Sequence, residues 1–169
     1  LDELLGDEAA GELTDDEVVA NLIGIVNAAH ETSTSLMANS MLLLLNHPDQ
    51  LDLLLADPTL IPGAVVEVGR LESPSQIISR VAVRDLELQG VSISAGQLLA
   101  INLAQANRDP EVYADPDRFD VTRSGLAPLT FGHGEHFCVG TALARLETEE
   151  LIAMLLPRLP GARMICDPI

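Results

Sequence analysis

The stretch Thr14–Asn46 contains no proline and no strong helix stop, and it limits what this chain can fold into more than any other feature. Thr14 can cap a helix, and Glu17 stands three residues on, the pattern of a capping box. His47-Pro48 ends the run, because the residue before a proline avoids helical geometry. The expected helix is about 30 residues long, against a usual 8 to 20. Val, Leu, Ile, Met and Ala occupy every face near both of its ends. A helix that is apolar all round is normally buried, so this one is built to be surrounded, and half of its neighbours are expected to be missing from this stretch. The middle differs, since His30, Glu31, Thr32, Ser33, Thr34 and Ser35 are six polar residues in a row. At about 100° per residue, Ala28, Ala29 and Thr32 share one face. Two small side chains beside a hydroxyl leave room there for something flat. Glu31 is turned about 100° away, onto the face of Asn27. A plain solvent-facing patch accounts for the same residues equally well.

The remaining chain is punctuated by proline and glycine. Asp49–Ala56 reads as a short helix ended by Asp57-Pro58, and residues 62–72 as another, closed by Ser73-Pro74. The second holds Glu67 and Arg70 on one face at i, i+3. It also holds Gly69, which costs a helix about 1 kcal/mol relative to alanine. Short strand-like runs follow at 77–83, 86–88, 91–93 and 97–103, with turns at Gln89-Gly90 and Ala95-Gly96, giving a small sheet over 77–104. Residues 105–130 read as a long loop, uncommon unless functional. Residues 131–140 pack three glycines, two histidines, two phenylalanines and a cysteine together, and a helix over 141–156 follows.

Composition removes several classes of function. Nine Lys+Arg against 26 Asp+Glu give a formal charge of −17. That charge leaves no basic footprint for nucleic acid, and an anionic membrane surface would repel the chain. No apolar run approaches the roughly 18 residues that span a bilayer. Cys138 and Cys166 are the only cysteines, too few for a disulfide framework. Together these point to a protein of the reducing cytoplasm. The acidic residues 1–13 read as a linker. The chain opens at Leu1 and stops at Ile169 in what reads as a strand region, so a piece of a larger protein is expected.

Cys138 carries the sharpest chemical signal. It lies just before a helix start, where the helix dipole and free N–H groups stabilise a thiolate. Gly132, Gly134 and Gly140 permit unusual backbone angles and close approach to a ligand. A thiolate whose sulfur accepts such N–H bonds is a good axial ligand for haem iron. Three other readings compete. His133, His136 and Cys138 are too close together for usual zinc spacing and lack a fourth ligand. A redox thiol lacks a C-x-x-C partner. An inert buried cysteine leaves the glycines unexplained.

The segment Phe131-Gly132-His133-Gly134-Glu135-His136-Phe137-Cys138-Val139-Gly140 resembles the cysteine-loop signature of the cytochromes P-450, F-G-x-G-x-H/R-x-C-x-G, at every defining position. Glu67-Val68-Gly69-Arg70 resembles that family's E-x-x-R. Ala28-Ala29-His30-Glu31-Thr32 resembles its oxygen-binding motif A/G-G-x-D/E-T. Asn107-Arg108-Asp109-Pro110 through Arg118-Phe119 is similar to its soluble bacterial members. The four motifs stand in the family's order.

The resemblance implies a mainly α fold with a small β-sheet (α+β), of which this chain is the C-terminal portion. It implies haem b, with Cys138 as the iron ligand and Thr32 with Glu31 as an acid–alcohol pair that delivers protons to dioxygen. Ala28 and Ala29 would line the haem face, Arg80 and His136 would contact propionates, and Phe131 and Gly132 belong to the proximal loop. Glu67, Arg70 and Arg118 would form a structural ion network. Ala29 stands where the family usually has glycine, and Gly69 where it usually has leucine. The implied activity is monooxygenation of a small organic substrate, which would meet the Ala28–Thr34 face and the stretch 75–79. Electrons would come from NAD(P)H through a ferredoxin-type or flavin-type partner. The stretch alone is expected to be inactive and poorly folded. The alternative is a truncated, non-catalytic haem-binding or helper relative.

Overall fold

The computed structural model describes residues 11 and 13–165. Cys166, the strand region before Ile169 and most of the 1–13 linker lie outside them. Helix α1 spans Asp15–Asn46 and starts as its sequence requires. The Thr14 hydroxyl accepts from Glu17 N–H at 3.3 Å, and Glu17 Oε2 accepts from Thr14 N–H at 2.8 Å. Leu36, Ser40, Leu43 and Leu44 recur at helical spacing and are buried. Ser40 keeps its hydroxyl satisfied by donating to Leu36 O at 2.7 Å. The first half of α1 is largely uncovered, in keeping with a helix that has only part of its neighbours here. Val19, Ile23, Ile25 and Val26 are exposed, because no described element packs over them.

Helices α2 (Pro48–Ala56), α3 (Ile61–Leu71) and α5 (Thr141–Leu155) enclose the other half of α1. The core is Leu36, Leu43 and Leu44 of α1, Leu51 and Leu54 of α2, Ile61, Ala64, Val65, Val68 and Leu71 of α3, and Ile152 of α5. Phe119 and Val121 from the long loop and Leu156, just past α5, complete it. The expected helix 62–72 is thus one residue early at each end, with Pro62 inside its first turn, where no N–H is needed.

The small sheet is two separate antiparallel pairs. Strand β1 (Ile77–Val81) pairs with β4 (Leu98–Asn102), and β2 (Leu86–Leu88) with β3 (Val91–Ile93). Between β2 and β3 both turn residues take positive φ, Gln89 at 50° and Gly90 at 79°. Such a two-residue turn matches the strand twist and closes a hairpin on itself. β4 stops at Asn102, whose side chain accepts from Gln105 N–H at 2.9 Å and caps the short helix α4 (Leu103–Ala106). Leu103 is therefore a buried helix residue, not a strand end.

Beyond α4 the chain is irregular to Pro128, and a buried ion network holds it against α3. Arg70 is 1% exposed and Glu67 3%. Arg70 donates to both Glu67 carboxylate oxygens, at 2.7 and 2.9 Å. It also donates to the carbonyls of Asn107 (2.9 Å), Pro116 (2.6 Å) and Arg118 (3.2 Å). All five guanidinium N–H donors are thereby placed. Glu67 Oε1 accepts further from Asp120 N–H at 3.1 Å and Arg123 Nε at 3.0 Å. The third charged member is thus Arg123, with its side chain 16% exposed, and not Arg118. Arg118 contributes its carbonyl; its side chain is 62% exposed and reaches only Asp120, at 3.8 Å. The reason is local: Phe119 is buried in the core, and its neighbour Arg118 is left facing solvent. Arg70 also lies 5.2 Å over the buried Tyr113 ring, and burial pushes the Tyr113 phenol pKa up.

Arg123→Ala removes three carbonyl bonds and a buried charge partner. It is expected to destabilise the haem-loaded protein by roughly 2 kcal/mol, whereas Arg118→Ala stays within about 0.5 kcal/mol of the parent. Denaturant titration of the two variants separates the assignments. The uncovered flank of α1 predicts that the 169-residue chain alone binds an apolar dye and unfolds without a cooperative transition. A sharp thermal melt without dye binding refutes that.

Candidate functional site

The cysteine loop leaves the core at Phe131, which is half-buried against it, and returns at α5. Gly132 and Gly134 both take φ 77°, a region that side chains disfavour, so these two glycines are required by the backbone. Gly140 is different from the sequence expectation. Its φ is −82°, and a Cβ there would meet Cys138 Sγ at 3.8 Å, an ordinary contact. Gly134–His136 form one 3-10 turn, closed by Phe137 N–H donating to Gly134 O at 3.0 Å. Cys138 N–H then donates to Phe131 O at 2.9 Å. Its own carbonyl accepts from the Thr141 hydroxyl at 2.7 Å at the first residue of α5. Both sides of Cys138 are therefore anchored by backbone bonds, while its thiol is free and exposed.

Several features around that thiol point outward. The N–H groups of Val139 and Gly140 make no hydrogen bond among the described residues. Phe137 and Val139 expose their apolar side chains. His136 is exposed on the same loop. Arg80 belongs to a separate element, β1, and no hydrogen bond joins it to the cysteine loop among the described residues; it is exposed, has no carboxylate partner there, and donates to its neighbour's carbonyl, Ser79 O, at 2.9 Å. Apolar side chains, unpaired N–H donors beside a sulfur, and basic groups without internal acids fit a flat apolar group that carries carboxylates and a metal. Among the described residues no three His, Cys, Asp or Glu side chains converge as a metal cage, so His133, His136 and Cys138 do not assemble a zinc site.

The second cluster lies midway along α1. Ala28, Ala29 and Thr32 are exposed on one face. The Thr32 hydroxyl donates to Ala28 O at 2.6 Å, and Thr34 to His30 O at 2.7 Å. Each is a back-bond to the preceding turn, the usual way a helical threonine satisfies its proton. Glu31 lies on the Asn27 side as expected, and both line an open depression of about 320 Å³ with His30, Thr34 and Ser35. No hydrogen bond or ion pair joins this cluster to the cysteine loop among the described residues. The two share α5, which begins at the loop and packs on α1.

Sequence reasoning missed two anchoring residues. Arg123 closes the ion network from outside the Arg118 position. Asn107 is fully buried and accepts from Leu129 N–H at 2.7 Å, tying the start of the cysteine loop to the far end of the irregular stretch. Its signal was slight: an asparagine after a short helix reads as a cap, and only its burial distinguishes it.

A sequence model of the family described as Cytochrome P450 matches residues 1–159. The biotin biosynthesis cytochrome P450 of Bacillus subtilis is 44% identical over 161 residues, which is 95% of this chain and 41% of that protein. The cytochrome P450 monooxygenase PikC of Streptomyces venezuelae is 43% identical over 163 residues, 96% of this chain and 39% of that protein. The crystal structure of P450BioI with an acyl carrier protein ligated to hexadec-9Z-enoic acid superposes with TM-score 0.88 at 44% identity, covering 92% of this chain and 41% of that one. The cytochrome P450 enzyme CxnD, described as forming a C–S bond in chuangxinmycin biosynthesis, gives TM-score 0.91 at 42% identity, covering 98% and 41%. The chain thus spans about two fifths of the length of the relatives it matches. Among the described residues no helix is long and apolar enough to cross a membrane. By sequence and by fold alike, the chain belongs to the cytochrome P450 family.

Proposed function

We propose that the protein carrying this chain is a haem-dependent monooxygenase that inserts one atom of dioxygen into a small organic substrate, with the Cys138 thiolate as axial ligand of haem b. The observation that carries the reading is the anchored and outward-facing Cys138 thiol, beside the unpaired N–H groups of Val139 and Gly140. Bound haem would supply the iron centre at which dioxygen is activated, using electrons from NAD(P)H through a ferredoxin-type or flavin-type donor.

The chain's own residues divide the remaining work. The Cys138 sulfur would hold the haem iron, and N–H donors beside that sulfur would moderate how strongly it donates electron density. Arg80 and His136 would offer N–H donors to propionates without giving up an internal ion pair among the described residues. Ala28 and Ala29 keep one face of α1 low enough for a planar group. Thr32 holds its proton on Ala28 O and leaves its oxygen lone pairs free to accept. That hydroxyl, turned away from Ala28 O, would be the group on this face able to hand a proton to a bound oxidant. Glu31, open to the polar depression, replaces that proton from solvent.

Relatives at similar identity are named for biotin biosynthesis, for vitamin D(3) 25-hydroxylation and for steroid C26 oxidation. The stretch they share with this chain fits the oxygen chemistry that the names of the two hydroxylating relatives have in common.

Two experiments test the reading. Reduced, carbon monoxide-treated protein is expected to show the red-shifted Soret band of thiolate ligation, and Cys138→Ala is expected to lose it. Haem bound with a spectrum indifferent to that substitution excludes Cys138 as ligand. Thr32→Ala is expected to keep consuming NAD(P)H while product formed per NAD(P)H falls by roughly 100-fold, the lower range for general acid–base catalysis. Full coupling in that variant removes Thr32 from proton delivery.

A further inference from the structure

Gly69 lies in α3 between the two charged residues of the buried network, where propensity alone marks it as a weak point. The structure shows what it makes room for. A Cβ on Gly69 would lie 2.9 Å from Thr130 Cγ2, 3.2 Å from Thr130 Oγ1 and 3.5 Å from Thr130 Cβ. The first distance is one that folded proteins do not tolerate. Thr130 is β-branched, with a stiff χ1 and no long end to swing aside. Relief would have to come from the backbone of residues 129–131. That backbone leads directly to the thiol: Thr130 precedes Phe131, and Phe131 O receives the Cys138 N–H bond at 2.9 Å.

The contact is one of shape. Thr130 Oγ1 is buried and has no hydrogen-bond partner among the described residues, so its hydroxyl earns nothing there that a methyl would not. A second, independent tie holds the same segment to α3, running from Arg70 Nη1 to Asn107 O (2.9 Å) and from Leu129 N–H to Asn107 Oδ1 (2.7 Å). Charge thus fixes the segment at Leu129, and steric fit fixes it one residue later.

We propose that Gly69 and Thr130 are a matched pair of positioning residues that set how far the cysteine loop stands from α3, and so where Cys138 presents its sulfur to haem. At this position α3 carries glycine with a threonine packed on it. The pair deepens the haem-thiolate reading and rests on it.

The test uses the full-length haem-loaded protein in five forms: parent, Gly69→Ala, Thr130→Ala, the double variant and Thr130→Val. Two quantities are read, the fraction of the carbon monoxide complex with the thiolate Soret band and the thermal midpoint. Gly69→Ala is expected to lower both, with a shift of several degrees, by overfilling the contact. Thr130→Ala lowers both less, by leaving a gap. The double variant recovers most of the thiolate fraction, which a merely additive loss does not do. Thr130→Val keeps the parent spectrum. A thiolate fraction unmoved by Gly69→Ala, or a double variant no better than Gly69→Ala alone, overturns the pairing. A Thr130→Val protein as impaired as Thr130→Ala overturns the claim that shape is what matters. A parent protein without the thiolate band removes the haem-thiolate reading and this one together, whereas a normal parent band with an indifferent pair removes only this one.

Discussion

The bidentate pair of Glu67 and Arg70 is the contact on which the rest of the architecture hangs. Two charges this deeply buried are expensive to desolvate, and their mutual attraction offsets that only when every remaining donor and acceptor is satisfied. Here they are, and the groups that satisfy them come from almost one piece of chain. Asn107, Pro116, Arg118, Asp120 and Arg123 all lie in the irregular stretch after α4. A segment with no helix or ladder to organise it borrows its order from α3. Breaking either charge would leave the other unpaired in the core, with a typical loss of about 3–5 kcal/mol, and would release the loop at the same time. Gln50 of α2 extends the same logic by accepting from Val121 N–H at 3.0 Å, so the loop's apolar residues enter the core without unpaired backbone behind them.

That arrangement explains why the cysteine loop can be so short of its own contacts. The thiol sits on an exposed turn built from two positive-φ glycines, which by itself would wander. One end is tied to α3 through Asn107 and Leu129. The other runs straight into α5, which is packed on α1 and α3. The loop is held at its start and at its end, and its middle, including the Val139 and Gly140 N–H groups, has no internal partners among the described residues. A site meant to receive a large planar group benefits from this. The donors that would face the group are not consumed by the protein before it arrives.

Helix limits were legible where the signal was local. The Thr14–Glu17 box, the prolines after His47 and Asp57, and the glycines at the hairpin turns act within a few residues, and each element begins or ends within about one residue of those signals. Reading fails where the decision is tertiary. Arg118 and Arg123 carry the same charge in the same loop, and only the burial of Phe119 turns the first outward and leaves the second to reach Glu67. Gly140 sits in a glycine-rich motif yet takes an ordinary backbone angle, so the motif alone could not separate it from Gly132 and Gly134. Gly69 looked like a defect by helix propensity because propensity is blind to Thr130, which arrives from 61 positions away in sequence. One small sheet was expected because strand signals show runs, not partners. The Gln89-Gly90 turn closes β2 and β3 on each other before β1 can reach them.

The first half of α1 shows how a sequence rule can hold while its simplest structural consequence does not. Its apolar residues surround the helix, as in a buried element, yet Val19, Ile23, Ile25 and Val26 meet no other described residue closely enough to be covered. The same helix further on is packed on α2, α3 and α5 through Leu36, Leu43 and Leu44. The composition of the two halves is alike, so the difference lies in what stands beside them. The relatives that align with this chain are more than twice its length. The polar residues from His30 to Ser35 fall at the border between the covered and uncovered halves. A hydroxyl and a carboxylate are tolerable in an otherwise apolar helix at such a border, because there both are exposed and Glu31 lines an open polar depression. The placement of Thr32 and Glu31 thus follows from the same boundary that makes the helix look unfinished.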